Sequence, residues 1–382
     1  MSEKNRIALV GAAGKVAAPC HLNALAQAEP VELVALCDLD QERLQDLAKR
    51  HSVDRVFTCY DQLLNDSGID SVDLVVPPFL HAEMAVKAAA AGKNVYVEKP
   101  MARSVGEARS MIAAAEDANV TLMVGESYWF HGPHSLGSRL IDEGEIGEVC
   151  QVRQTKAPWL FTSEENERLQ GQGHDVAWRF DPDQSGGGDY PWIMDHGPHL
   201  FATARRLSGG RQIETVMALS RNQGYGPEAH LRGITSMSWI FSDGTVDGVW
   251  TQIETDPAAQ RYVGFRTEVV GTQGTMLVFG EGGGSAPGFA QVPPVRIFRD
   301  GKVLDYDLDE GPDRSWQSNN SYYDQAHVRT LSEFGTAVLE GRAPTYSGYD
   351  GLHDLTATLA VIQSAQTGQA VQLGDVADDW RA

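Results

Sequence analysis

The sequence predicts an α/β fold in two parts: a doubly wound parallel sheet at the N-terminus, then an α+β domain built on a large, mostly antiparallel open sheet. Three observations predict it. Short apolar runs near residues 6–10, 31–37, 72–76, 94–98 and 121–124 are separated by helical stretches, the alternation of a parallel sheet with crossover helices. The first run turns into an alanine-rich helix through Gly11-Ala12-Ala13-Gly14. Beyond about residue 124 the chain becomes richer in Trp, Gly, Asp and Gln, and strands such as 235–241 alternate apolar with polar side chains between glycine turns at 244, 248, 264, 271 and 274. That alternation suits an antiparallel sheet with one face exposed. The expected domains are therefore 1–124 and 125–382.

Composition narrows the function. A chain of 382 residues has room for about two domains, and 42% apolar with 22% charged residues is ordinary for a globular protein. The formal net charge of -21 argues against nucleic acid, whose phosphates call for clustered Lys and Arg. Glu3 in the charged opening and Lys15 in the middle of the early apolar run argue against a secretion signal, and no run is long enough to span a membrane. Cys20, Cys37, Cys59 and Cys150 have no metal-binding spacing, and no histidine pair has compelling zinc spacing, so no metal is expected and a reduced cytoplasm is.

In the first part, small residues at 11, 14 and 17 let a backbone approach a pyrophosphate at a helix start, which marks Gly11, Ala13, Gly14, Lys15 and Val16 as cofactor contacts. The second strand, 31–37, ends on Asp38, where an acid accepts hydrogen bonds from an adenosine ribose. With Asp40 nearby and no arginine beside them, a 2′-phosphate would be repelled, so NAD is favoured over NADP. Asp40 is also placed to cap the helix 41–50. A short strand near 56–57, a helical turn at 60–65 and the strand 72–76 follow. Pro77 to His81 is read as a loop before a helix over 82–91 that stops at Gly92. The next strand ends on Glu98-Lys99-Pro100, at the carboxyl end of a parallel strand where ligands gather. A helix over 105–118 and a strand over 121–124 close this part.

In the second part, Gly186-Gly187-Gly188 precedes a helix that starts at Pro191 and runs to Leu207. Asp195 and His199, four apart, share one face of it, although Pro198 removes a backbone hydrogen bond between them. Aromatic faces suit the alternating CH and OH groups of a sugar, so Trp159, Trp178 and Trp192, with His131, His134 and His174, are candidates to line a substrate site. Lys156 and Arg179 are further substrate candidates. Stretches 322–340 and 350–367 read as scaffold helices.

These residues resemble the glucose-fructose oxidoreductase, inositol dehydrogenase and MocA (Gfo/Idh/MocA) family of nicotinamide-dependent oxidoreductases. The likeness spans the glycine turn, Asp38, Pro77-x-x-x-His81, Gly92 to Pro100, Gly186 to Gly188, Asp195-x-Gly197-x-His199, Gly271 to Thr275 and Glu340 to Pro344. It departs at Val76-Pro77-Pro78, where the family's loop reads Thr-Pro-Asn, and at Glu126-Ser127-Tyr128-Trp129-Phe130, where many members carry an asparagine and an arginine. The resemblance implies an N-terminal Rossmann domain binding NAD(P), with Pro77, His81, Glu98 and Lys99 at the cofactor, and a C-terminal domain that binds substrate and forms a homodimer or homotetramer through its sheet. It implies oxidation of a secondary alcohol of a sugar, polyol or inositol, or the reverse. His199 is the expected general base or acid, Lys99 the group that stabilises charge on the reacting oxygen, and Asp195 an orienting partner. The same resemblance permits a glycosidase that uses NAD, and a cofactor-sensing regulatory protein is the reading from another class.

Overall fold

The computed structural model describes residues 4–14, 17–156, 178, 181–222, 232–252, 266–279, 293–308 and 322–382. Lys15, Val16, Trp159, His174 and Arg179, named above as candidate contacts, lie outside the described residues.

Six parallel strands form the first sheet: β1 (Asn5–Val10), β2 (Val31–Cys37), β3 (Arg55–Phe57), β4 (Ser71–Leu74), β5 (Asn94–Glu98) and β6 (Leu122–Gly125). Their order is β3-β2-β1-β4-β5-β6, so the winding reverses between β1 and β4, where ligand crevices open in such sheets. The crossovers are α1 (Ala17–Leu25), α2 (Gln41–His51), α3 (Tyr60–Leu64), α4 (Pro78–Ala90) and α5 (Val105–Asp117). Strands buried on both faces explain the apolar runs, and β4 is buried throughout. Asp40 caps α2 by accepting from the Arg43 amide at 3.0 Å, as read from the sequence. One boundary differs. The helix expected from residue 82 begins at Pro78, because proline at the first helical position gives up no hydrogen bond, so His81 belongs to a helix and not to a loop.

After β6 the chain forms α6 (Gly132–Asp142), β7 (Val149–Lys156), α7 (Pro182–Ser185) and α8 (Pro191–Leu207), the last with the expected bounds and Pro198 inside it. Then come β8 (Ile213–Asn222), β9 (Arg232–Phe241), β10 (Asp247–Gln252), β11 (Arg266–Gly271), β12 (Thr275–Phe279), β13 (Val295–Arg299), β14 (Lys302–Tyr306), α9 (Tyr322–Glu340), α10 (Gly348–Thr367) and β15 (Val371–Gln372). These strands make a nine-stranded sheet ordered β14-β13-β12-β11-β7-β10-β9-β8-β15. Among the described residues β7 and β10 pair in parallel and the other neighbours antiparallel, which gives the open, mostly antiparallel sheet the sequence predicted.

Helices α8 and α10 pack together, and α10 lies on β8 and also against α5 and β6, so it joins the two sheets. A buried cluster holds this joint: Arg205 on α8 donates to both carboxylate oxygens of Asp354 at 3.2 Å and to Asp350 at 2.7 Å, and Tyr346 donates to Asp354 at 2.6 Å. Helix α9 returns to the first sheet, where Leu331 and Phe334 share a core with Ile7, Leu9 and Val31. Among the described residues no helix is long and apolar enough to cross a membrane, and the four cysteines form no disulfide.

Candidate active site

The turn after β1 is shaped for close backbone approach. Gly11 has φ of +80°, and a Cβ there would stand 2.2 Å from the carbonyl oxygen of Val75, at the end of the neighbouring strand β4. Its amide and that of Ala12 donate to the Cys37 carbonyl at 2.9 and 3.2 Å, which ties the turn to the end of β2. Asp38 braces the same turn: Oδ2 accepts from the Ala13 amide at 2.9 Å and Oδ1 from the Asp40 amide at 3.0 Å. A glycine that admits no side chain, small neighbours and a partly exposed acid at the reversal of strand order fit a dinucleotide, whose pyrophosphate would lie on the turn and whose ribose would meet Asp38. Arg43, in the first turn of α2, reaches over and donates to the Gly14 carbonyl at 3.4 Å.

Lys99 leaves the end of β5, and the Lys99–Pro100 peptide bond is cis. Its ammonium donates to the Asp195 carboxylate at 2.9 Å and to the Asp195 carbonyl at 3.1 Å. The two side chains are 14% and 12% exposed, so this ion pair is largely shielded yet reachable. Asp195 and His199 lie one turn apart on α8, as their spacing predicts, and the helix carries them to the end of the first sheet. Nδ1 of His199 is 2.5 Å from Oε1 of Glu126, a residue the sequence reading treated only as a departure from the family pattern. His196 was also passed over: its ring stacks on Trp192 at 5.5 Å and 7°, and its Nε2 is 3.6 Å from Asp195.

Beneath Lys99 runs a buried relay. His21, on α1, has Nδ1 2.8 Å from Asp73 and Nε2 2.9 Å from Glu98. Burial alone would lower its pKa, but two carboxylates overcome that and hold it up at about 10. Burial would raise Glu98, and the His21 hydrogen bond and charge pull it down to about 2. Asp73 goes the other way, pushed up by burial against the pull of His21. The three titrate as one unit, and the direction that geometry supports is a protonated His21 between two acids. The free oxygen of Glu98 accepts the Lys99 amide at 3.1 Å, so the relay reaches the base of the Lys99 side chain. His327 lies with His21 and Glu98 inside a 4.8 Å cluster of possible metal ligands. The 2.9 Å contact between His21 and Glu98 is that of a direct hydrogen bond, shorter than the roughly 3.4 Å between two ligands of one tetrahedral ion.

Other expected contacts are placed elsewhere. His81 is fully buried with its two ring nitrogens 2.9 and 2.8 Å from the carbonyls of Pro100 and Val76, so it braces the two loops and offers no atom to a ligand. Burial depresses its basicity. Pro77 is half-buried and caps α4 beside the glycine turn. His131 and His134 are core residues packed around Tyr128, not site walls, because α6 folds them inward; burial drives His134 down to about 3. Trp192 stays partly exposed beside Asp195, and Trp178 is partly buried ahead of α7. The backbone of Lys156 ends β7, paired with Gln252 of β10.

Comparison with known proteins agrees with this geometry. Residues 5–126 match the family described as "Oxidoreductase family, NAD-binding Rossmann fold", and residues 138–277 match the "GFO/IDH/MocA C-terminal domain". The chain is 27% identical over 376 residues to a 1,5-anhydro-D-fructose reductase of Ensifer adhaerens, covering 97% of this chain and 98% of that protein. It is 26% identical over 351 residues to a D-xylose 1-dehydrogenase (NADP(+)) of Haloferax volcanii, covering 91% and 94%. Its fold matches an oxidoreductase from Agrobacterium radiobacter solved with NAD+, L-tartaric acid and magnesium, with a TM-score of 0.76, 20% identity and coverage of 97% and 99%.

Proposed function

This chain belongs to the Gfo/Idh/MocA family of oxidoreductases, and we propose that it transfers a hydride between NAD and a secondary alcohol or ketone of a sugar, polyol or inositol. The observation that carries this reading is the convergence of Lys99, from the end of the first sheet, on Asp195, one turn from His199 on a helix of the second part. Such a set, assembled from separated stretches at the mouth of a dinucleotide turn, is what alcohol oxidation needs.

NAD, when bound, supplies the hydride acceptor or donor. The protein supplies the rest. His199 takes the hydroxyl proton as carbon loses hydride, or returns it in reduction. Lys99 donates a hydrogen bond to the reacting oxygen and stabilises its developing negative charge. Asp195 holds the Lys99 ammonium and orients a neighbouring substrate hydroxyl. Trp192 offers an apolar wall for sugar CH groups. Gly11, Ala13 and Gly14 take the pyrophosphate, Asp38 the ribose, and Glu98 supports Lys99 through the backbone.

In this reading residues 1–124 carry the cofactor, and 125–382 carry substrate and self-association in a reduced cytoplasm. Leu219, Ile240, Phe298 and Val303 expose 58%, 49%, 41% and 55% of their surface on four strands of the large sheet, which suits a second copy of the chain. The test is an NADH absorbance screen against inositols, aldoses, uronates and glycosides, repeated with NADP. Turnover on one class that vanishes in Lys99→Ala and His199→Ala supports the proposal. Undiminished turnover in either variant removes its assignment of roles.

A further inference from the structure

Glu126 is the most exceptional group near the site. It follows β6 directly, is fully buried, and its Oε1 accepts the Tyr128 amide at 3.0 Å as well as facing Nδ1 of His199 at 2.5 Å. Its Oε2 is buried with no hydrogen-bond partner among the described residues. An acid buried for structure alone is expected to be satisfied through both oxygens, since an unpaired buried polar atom is costly. The Tyr128 ring lies on the His199 imidazole with centroids 4.0 Å apart and planes 18° apart, so the ring plane is fixed as well as its edge. Burial pushes the Glu126 carboxyl well above its usual value, Lys99 pulls it down and Glu98 pushes it up.

We propose that Glu126 is a positioning residue for the reaction: it holds His199 with Nδ1 turned inward, directs Nε2 to the substrate hydroxyl, and carries the counter-charge when the imidazole is protonated. The proposal rests on His199 being the base. In oxidation the substrate O–H breaks and its proton goes to Nε2; the C–H electron pair leaves as hydride to the oxidised nicotinamide and the C=O bond forms. His199 is then an imidazolium, and its Nδ1–H donates to Glu126 Oε1. At a site this buried, that compensation lets a histidine accept a charge it would otherwise refuse.

Among the described residues, other charged or titratable groups around the pair are Lys99, Glu98, Asp195, His196, His131, Tyr96, Tyr128, Tyr346 and Asp354. All are unchanged in Glu126→Gln, so the difference reports the Glu126 charge. An anion beside His199 raises its affinity for protons. Glu126→Gln therefore moves the acid limb of the oxidation kcat profile to lower pH while the plateau falls roughly ten- to a thousandfold, and the Kd for NADH, read by fluorescence, stays within about twofold. Glu126→Asp retains the charge and keeps the limb near its wild-type pH. If Glu126→Gln does not fold, proton NMR of the wild-type protein substitutes: a far-downfield imidazole N–H resonance, absent in His199→Ala, is expected from the 2.5 Å contact. A wild-type plateau and limb in Glu126→Gln, or no such resonance, overturns this proposal while His199→Ala remains inactive. Full activity of His199→Ala overturns the reading beneath it instead.

Discussion

The Lys99 ammonium lies 2.9 Å from the Asp195 carboxylate, so two residues ninety-six positions apart share one ion pair where the two sheets meet. At 14% and 12% exposure, removing one partner takes from the other its closest ionic contact in a largely shielded place. Lys99→Ala is expected to lower kcat at least about a hundredfold, because charge on the reacting oxygen loses its donor. Asp195→Asn should lower it less and raise KM, because the ammonium stays while its orientation loosens. Steady-state kinetics on the substrate found by the screen check both, and equal effects on kcat and KM would count against the division of roles.

Cofactor choice is expected to turn on Asp38 and Arg43 together. Asp38 disfavours a 2′-phosphate by charge, while Arg43, held over the glycine turn, would attract one. Asp38→Ser should raise the ratio of kcat/KM for NADP over NAD by about tenfold, equivalent to about 1.4 kcal/mol. Adding Arg43→Ala should reverse most of that gain. A ratio insensitive to both variants would place the discrimination elsewhere.

Stability should fall on the alkaline side because of His21. Its folded pKa of about 10 stands above the ordinary 6.5, so its contribution is complete below pH 6.5 and is lost as pH rises from 6.5 to 10. His21→Gln should flatten that fall and cost about 3–5 kcal/mol at neutral pH, the usual effect of breaking a buried charged pair. Urea midpoints across the range read it. An unchanged slope in the variant would mean that His21 is not the titrating group.

The exposed apolar side chains of the large sheet should make the protein self-associate. Ile240→Asp with Phe298→Asp is expected to shift the mass seen by light scattering to that of one chain, with the circular dichroism of the parent. A parent that is already a single chain at micromolar concentration would dismiss this.

The alternation of strands and helices in the first third was legible because β1, β4, β5 and β6 are almost wholly buried and because α2, α4 and α5 start on a capping Asp40, on Pro78 and on a capping Ser104. The bounds of α8 were legible for the same local reason. Less was legible where the meaning of a residue depends on distant partners. His21 is one polar residue in a short helix until Asp73 and Glu98, from two strands, close on it. Glu126 reads in sequence only as a departure from the family pattern, and its contact with His199 exists only once α8 is brought to the residue that follows β6. His131 and His134 carry the chemistry of a site wall but follow α6 into the core. The reach of Arg43 back to the Gly14 carbonyl was not legible either, because it comes from the length of a side chain and not from sequence proximity.

The return of α9 to the first sheet bears on the order in which the protein can be made. Ile7, Leu9 and Val31 leave the ribosome early, yet Leu331 and Phe334, which complete their core, emerge only after eight of the nine strands of the second sheet. The first sheet is therefore expected to keep one apolar flank uncovered until nearly the full length of the chain has been made. A fragment ending at Glu126 should therefore be prone to aggregate, and the two parts are bound to one another by the history of the chain as well as by their contacts.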